Sequence, residues 1–243
     1  MTLSPIEQLR EPVMSSEPLP GEKSRILIVD DHPVMRKGLS QVIDDQTDME
    51  VCGEASNIPE AMEKIQHLRP DLVIVDISLG DGNGIELIKQ IRSRGEEPRM
   101  LVSSMHDESL FAERAIRAGA QGYVNKHEDT DRLIQALRDI RAGRIALSEK
   151  MTDRLLNRVA GRHDDGGSPL DRLTDRELEV FRLIGEALTT REIAARLELS
   201  RKTVETYREN IKAKLNLANA AELTRHAVQW VLEEGGLTEN KEG

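Results

Sequence analysis

Two runs of four residues, Ile26-Leu27-Ile28-Val29 and Leu72-Val73-Ile74-Val75, contain no polar residue, and an aspartate follows each. A strand with one face in water alternates apolar and polar side chains, whereas a strand covered on both faces reads as a continuous apolar run. The pattern from Arg25 onward predicts strands at 26–30, 49–55, 72–76, 100–104 and 122–124. An amphipathic helical segment follows each one. The inward faces are Val34, Met35, Leu39, Val42 and Ile43 in the first segment, then Ala61, Met62, Ile65 and Leu68 in the second. Ile85, Leu87, Ile88 and Ile91 mark the third, Leu110, Phe111, Ala115 and Ile116 the fourth, and Leu133, Ile134, Leu137 and Ile140 the fifth. Strand–helix alternation of this kind gives an α/β fold, a doubly wound five-stranded parallel sheet. Such sheets bind ligands beyond the carboxyl ends of their strands.

The polar residues of interest fall at those ends. Asp30 and Asp31 follow the first strand, Asp76 ends the third, Ser104 ends the fourth and Lys126 follows the fifth. Clustered carboxylates repel one another and resist burial, so the pocket calls for a cation. Oxygen-only ligation suits Mg²⁺. Asp30 and Asp31 are expected to hold the metal and Asp76 to act as a carboxylate nucleophile toward phosphorus. Ser104 and Lys126 would bind the oxygens of the phosphoryl group.

Outside this unit the chain changes character. Residues 1–24 carry Pro5, Pro12, Pro18 and Pro20 and read as a flexible tail. Residues 144–170 read as a linker helix followed by a hinge around Gly166-Gly167. From Leu173 the pattern is helical only. Capping boxes open at Thr174-x-x-Glu177 and Thr189-x-x-Glu192, and Ser200 caps a longer helix after the tight connection Glu198-Leu199-Ser200. This is a helix-turn-helix pattern in a small all-α four-helix domain. Residues 235–243 read as a C-terminal tail.

The formal net charge is −10, so no protein-wide basic field attracts nucleic acid or membrane. The second helix of the pair is nonetheless locally basic, with Arg201, Lys202, Arg208, Lys212 and Lys214. These are expected to meet phosphates, and Thr206 is expected to meet a base edge. Glu205 and Glu209 read as i,i+3 partners of Arg208 and Lys212, with acceptance from cytosine N4 as the alternative use. On the last helix, Glu222, His226 and Trp230 lie along one side and offer a dimer face. Trp230 closing the domain's own core is the competing reading. The single cysteine, Cys52, excludes an internal disulfide, no apolar run is long enough to span a membrane, and the chain reads as cytoplasmic.

Residues 25–143 resemble the receiver domain of bacterial two-component response regulators. The likeness is carried by Leu27-Ile28-Val29-Asp30-Asp31-His32, Leu72-Val73-Ile74-Val75-Asp76, Val102-Ser103-Ser104 and Gly122-Tyr123-Val124-Asn125-Lys126. Residues 171–234 resemble the LuxR-type DNA-binding domain through Leu173-Thr174-Asp175-Arg176-Glu177-Leu178, Arg191-Glu192-Ile193-Ala194 and Ser200-Arg201-Lys202-Thr203-Val204. The whole chain is similar to the NarL/FixJ family. The resemblance implies a transcription regulator, not an enzyme with a separate substrate. It implies phosphorylation of Asp76 by a sensor histidine kinase, with Asp31, Asp76 and the Ser78 carbonyl ligating Mg²⁺ and Asp30 assisting. Ser104 would be the switch hydroxyl, Tyr123 the switch aromatic and Thr203 a phosphate contact. DNA and a homodimer formed on phosphorylation are the implied partners, and no membrane contact is expected. Two departures stand out: His127 follows Lys126 where the family often has proline, and Gly80 replaces the usual proline of the phosphoacceptor loop. A haloacid-dehalogenase-like phosphatase, a regulator acting through protein contacts alone and an RNA binder are the competing classes. The first wants a D-x-D motif that is absent, and scarce aromatics weaken the last.

Overall fold

The computed structural model describes residues 23–79, 82–95, 98–105, 108–160 and 169–236. Residues 1–22 and 237–243 of the expected tails, Gly80, Asp81 and the glycine hinge lie outside the described residues. Strands β1 (Ser24–Val29), β2 (Met49–Ala55), β3 (Leu72–Val75), β6 (Arg99–Ser104) and β7 (Gly122–Asn125) form one sheet in the order β2-β1-β3-β6-β7. Every pairing in it is parallel. Helices α1 (Pro33–Asp44), α2 (Ile58–Leu68), α3 (Gly84–Ser93), α4 (Glu108–Ala118) and α5 (Thr130–Arg141) cover both faces. Ile26, Ile28, Leu72 and Ile74 point to one face with Leu133, Leu137 and Ile140. Leu27, Val29, Val73 and Val75 point to the other with Ile65, Ile88 and Phe111. The apolar runs are therefore continuous because both halves of the alternation are buried.

Two elements were not evident in the sequence. β4 (Ser78–Leu79) and β5 (Gly82–Asn83) pair antiparallel as a small hairpin between Asp76 and α3. After α5 the chain returns along the sheet edge, where Tyr123 N–H donates to Ala146 O (2.8 Å) and Ala146 N–H to Gln121 O (2.9 Å). This short bridge covers the open edge of β7, a usual precaution against strand pairing between molecules. The linker helix α6 (Glu149–Val159) then buries Met151 in the core cluster on α4's side of the sheet.

The second unit comprises α7 (Asp175–Gly185), α8 (Thr190–Arg196), α9 (Arg201–Leu215) and α10 (Ala220–Gly236). Both expected capping boxes form, with Thr174 accepting from Glu177 N–H and Thr189 from Glu192 N–H. Phe181, Val204, Ile211, Leu223 and Ala227 close the core between the helices. Trp230 packs on Phe181 with ring centroids 5.7 Å apart, so its half-buried ring contributes to that core.

One glycine secures the join behind Asp76. A Cβ on Gly84 would stand 2.0 Å from the Asp76 carbonyl oxygen, and Gly84 N–H donates to Ile77 O (2.7 Å). Gly84→Ala should therefore push α3 away from the end of β3 and destabilise the protein by about 1–3 kcal/mol. Thermal unfolding measures the loss, and an unchanged melting temperature would contradict this packing.

Candidate functional site

Strand register brings the polar strand ends together. Val29 pairs with Val75, and Val75 with Val102, so Asp30 and Asp76 leave the sheet side by side. Lys126 enters from the end of β7. Its Nζ lies 2.6 Å from Asp30 Oδ2 and 2.6 Å from Asp76 Oδ2. All three side chains are almost fully buried. Asp30 is oriented further by His32 N–H, which donates to its Oδ1 (2.8 Å). Asp31 is half-exposed, with His32 Nδ1 2.6 Å from its Oδ1.

Carboxylate oxygens of Asp30, Asp31 and Asp76, with a ring nitrogen of His32, lie within 4.8 Å of one another. The three carboxylates give the hard oxygen donors that Mg²⁺ prefers. Burial pushes the Asp76 carboxyl up to about 6, although Lys126 opposes it, and Asp30 and Asp31 push in the same direction as burial. Burial works against the charge of Lys126, but Asp76 and Asp30 together hold its ammonium above the ordinary value. Ser104 is fully buried at the end of β6, and its carbonyl accepts from Lys126 N–H (2.9 Å). The Tyr123 ring is buried as well, in the same core cluster as Phe111 and Ala112.

The hairpin beside Asp76 is tied to the helical unit. Ser78 Oγ donates to Glu179 Oε1 (3.1 Å), and Arg176 donates to Gly82 O (3.2 Å) and to Glu179 Oε2 (2.8 Å). Glu179 is almost fully buried there. Asp175 lies between Lys89 of α3 and Arg114 of α4, 3.0 Å from each. Arg114 also donates to the carbonyls of Leu170 and Leu173 (2.8 Å each). Local pattern does not reveal these contacts, because Lys89, Arg114 and Glu179 each read as an ordinary solvated charge on an amphipathic helix.

The basic residues of α9 separate into two groups. Arg201 and Lys202 are exposed, as is the neighbouring Thr206. Thr203 pairs its hydroxyl with the capping Ser200 Oγ (2.7 Å), at the helix start. Arg208 and Lys212 are mostly covered, 3.9 Å from Glu205 and 2.9 Å from Glu209 respectively, as the i,i+3 reading expects. Lys214 departs from expectation: it faces α7 and pairs with the buried Glu177 at 2.6 Å. The spacing i+12 from Lys202 turns it more than a quarter-turn off the outward stripe. On α10, His226 is exposed, while Glu222 accepts from Ala218 N–H at the helix start (2.7 Å). The open face of α10 is instead a mostly apolar groove along Ala221, Thr224, Arg225, Val228, Gln229 and Leu232.

Comparison with known proteins accounts for both units. Residues 26–138 match the response regulator receiver domain, and residues 171–227 match the bacterial regulatory proteins of the luxR family. The chain belongs to the LuxR-type response regulators. It is 36% identical to the DNA-binding transcriptional activator DevR/DosR of Mycobacterium tuberculosis over 193 residues, 79% of this chain and 88% of that protein. It is 32% identical to the nitrate/nitrite response regulator protein NarL of Escherichia coli K12 over 213 residues, 88% and 97% of the two chains. Among solved structures it resembles RcsB of Salmonella enterica serovar Typhimurium bound to promoter rprA. The TM-score is 0.57 and the identity 25%, covering 85% of this chain and 99% of that one. A LuxR-family response regulator from Aurantimonas is similar over 57% of this chain, with 36% identity and a TM-score of 0.53. The protein is thus a DNA-binding transcription regulator of a two-component system and not an enzyme with its own substrate.

The raised Asp76 carboxyl has a consequence for this response regulator's stability. A carboxyl whose folded value lies above the unfolded one favours folding below about pH 4, and that contribution disappears as pH rises through about 6. At pH 7 without divalent cation the ionised Asp76 therefore opposes folding. Asp76→Asn should raise stability there by up to about 3 kcal/mol, and the gain should vanish below about pH 4. Denaturant unfolding at the two pH values tests this, and a pH-independent effect would contradict it.

Proposed function

We propose that Asp76 accepts a phosphoryl group from a sensor histidine kinase and that this event controls pairing of two copies on promoter DNA. The observation that carries the reading is the convergence of Asp30, Asp31 and Asp76 around the Lys126 ammonium at the strand ends. Asp31, Asp76 and the Ser78 carbonyl would hold Mg²⁺, with Asp30 assisting, and the metal would supply charge neutralisation for an incoming phosphoryl group. Asp76 provides the nucleophilic oxygen. Lys126 already contacts that carboxylate and is placed to receive a phosphoryl oxygen. Ser104, on the neighbouring strand end, is the hydroxyl that turns toward it, and Tyr123 fills the space that Ser104 leaves.

Coupling to the helical unit goes through the β4–β5 hairpin. Ser78 follows Asp76 by two residues and holds Glu179, so any shift of the hairpin toward a phosphoryl group strains the docked α7. A receiver that masked the reading helix would cover its outward face, yet Arg201, Lys202, Thr206 and Asn210 are exposed with α7 docked. Docking therefore restrains how two helical units can meet, not access to α9. Released units would pair through the Ala221–Val228–Leu232 groove of α10 and present two α9 helices to successive half-sites. The RcsB structures similar to this chain include two dimers bound to two DNAs, which supports pairing on DNA.

Labelling with a small-molecule phosphodonor in Mg²⁺ is expected to be lost in Asp76→Asn, and persistent labelling would falsify the assignment. Arg114→Ala removes the bonds to Leu170, Leu173 and Asp175. It should narrow the difference in DNA affinity between unphosphorylated and phosphorylated protein by on the order of tenfold. If that difference stays at the wild-type value, the docked α7 does not gate output. Along α9, Lys202→Ala should weaken binding to all sequences alike and lower the salt slope by about one unit. Lys214→Ala should instead lower the melting temperature of the protein, since it strands the buried Glu177. A reversal of these two outcomes would mean that α9 is rotated from the orientation used here.

A further inference from the structure

The exposed ridge of α9 has an unusual chemistry for a DNA-reading surface. Arg201 and Lys202 stand at its start, but the residues that follow outward are Glu205, Thr206, Glu209 and Asn210. The two cations in that stretch are turned aside, with side chains only 15% exposed for Arg208 and 18% for Lys212. The middle of the ridge therefore lacks the outward arginine or lysine that most often reads guanine.

The two glutamates are held differently. Glu209 is neutralised by Lys212 Nζ at 2.9 Å. Glu205 accepts a hydrogen bond from Thr190 Oγ1 at 2.7 Å, across the turn from α8. Its other oxygen is 3.9 Å from Arg208 Nε. A neutral hydroxyl thus fixes the Glu205 carboxylate, with its second oxygen outside hydrogen-bond distance of the nearby cation. Beside it, Thr206 donates its hydroxyl proton to Lys202 O (3.0 Å), which turns its hydroxyl back to the helix.

We propose that Glu205 reads a base by accepting a hydrogen bond from the N4 amino group of cytosine, and that Thr190 is its positioning residue. The inference rests on the reading above that α9 enters the major groove. A carboxylate offers only lone pairs. Guanine presents O6 and N7 acceptors in that groove and thymine presents O4, so both repel it. Adenine has an amino donor but carries the N7 acceptor next to it. Cytosine offers the amino group without a neighbouring acceptor on the same base. A carboxylate near phosphates is unfavourable elsewhere, so Glu205 also penalises DNA that lacks the matching base.

Selections over randomised duplex DNA test this with the full chain, treated with a small-molecule phosphodonor and Mg²⁺. The wild type should require cytosine at one position of each half-site by about tenfold or more. Glu205→Ala should abolish that preference and bind unrelated DNA more tightly than the wild type. Glu205→Gln should move the preference to adenine, which an amide can bond at N6 and N7. Thr190→Val should weaken the cytosine preference, and Thr190→Ser should keep it; circular dichroism of each variant confirms an intact fold. If cytosine enrichment survives Glu205→Ala while Lys202→Ala still weakens all binding, the helix lies in the groove and this assignment is overturned. If neither variant changes binding, the assignment falls together with the placement of α9.

Discussion

The buried ammonium of Lys126 is the interaction on which the receiver unit depends. It joins Asp30 at the end of β1 to Asp76 at the end of β3, and it arrives from the end of β7. Three of the five parallel strands thus meet in one ion cluster. Two buried carboxylates at this distance could not both stay ionised without a cation, and removing Lys126 would leave them to protonate or to recruit metal. The arrangement stores a modest electrostatic cost, visible in the raised Asp76 carboxyl, at the point where new negative charge is to be accepted. A site poised in this way responds to charge, since bringing in a phosphoryl group and a divalent cation redistributes every partner of Lys126.

The hairpin beside this cluster links it to α7. Ser78 and Gly82 belong to the hairpin that begins two residues after Asp76, and both are bonded to α7. The polar contacts between units range from the buried Glu179 to the partly exposed pair Lys89–Asp175, and one apolar cluster runs through both units. The exposed Lys89–Asp175 pair contributes little by itself, so the buried Glu179 and its bonds to Ser78 and Arg176 carry more of the polar docking. The outward face of α9 is open with α7 docked, so the proposed control acts on the geometry between copies.

The fold was legible because burial on both faces writes itself into sequence: the apolar runs of β1 and β3 and the helical stripes between them leave little choice. The strand-end residues Asp30, Asp31, Asp76, Ser104 and Lys126 were legible for the same reason, since a parallel sheet places all such ends on one side. The capping boxes at Thr174 and Thr189 were equally plain. What escaped was set by tertiary contacts that leave no local pattern. The β4–β5 hairpin is two residues per strand, too short for any periodicity. Glu179 and Arg176 look like surface charges until the hairpin is placed over them. Lys214 looks like its basic neighbours, and only the turn of α9 sends it inward to Glu177. Trp230 had two readings, and its part in the core depends on Phe181, which is remote in sequence.

On the proposed reading, the Asp76 site and α7 form one cooperative unit through the β4–β5 hairpin. Native-state amide hydrogen exchange, before and after treatment with a phosphodonor and Mg²⁺, tests it most directly. Phosphorylation should change protection in the hairpin and lower it in α7 together, while the core strands β1 and β3 keep theirs. Altered protection around Asp76 with α7 unchanged would contradict it.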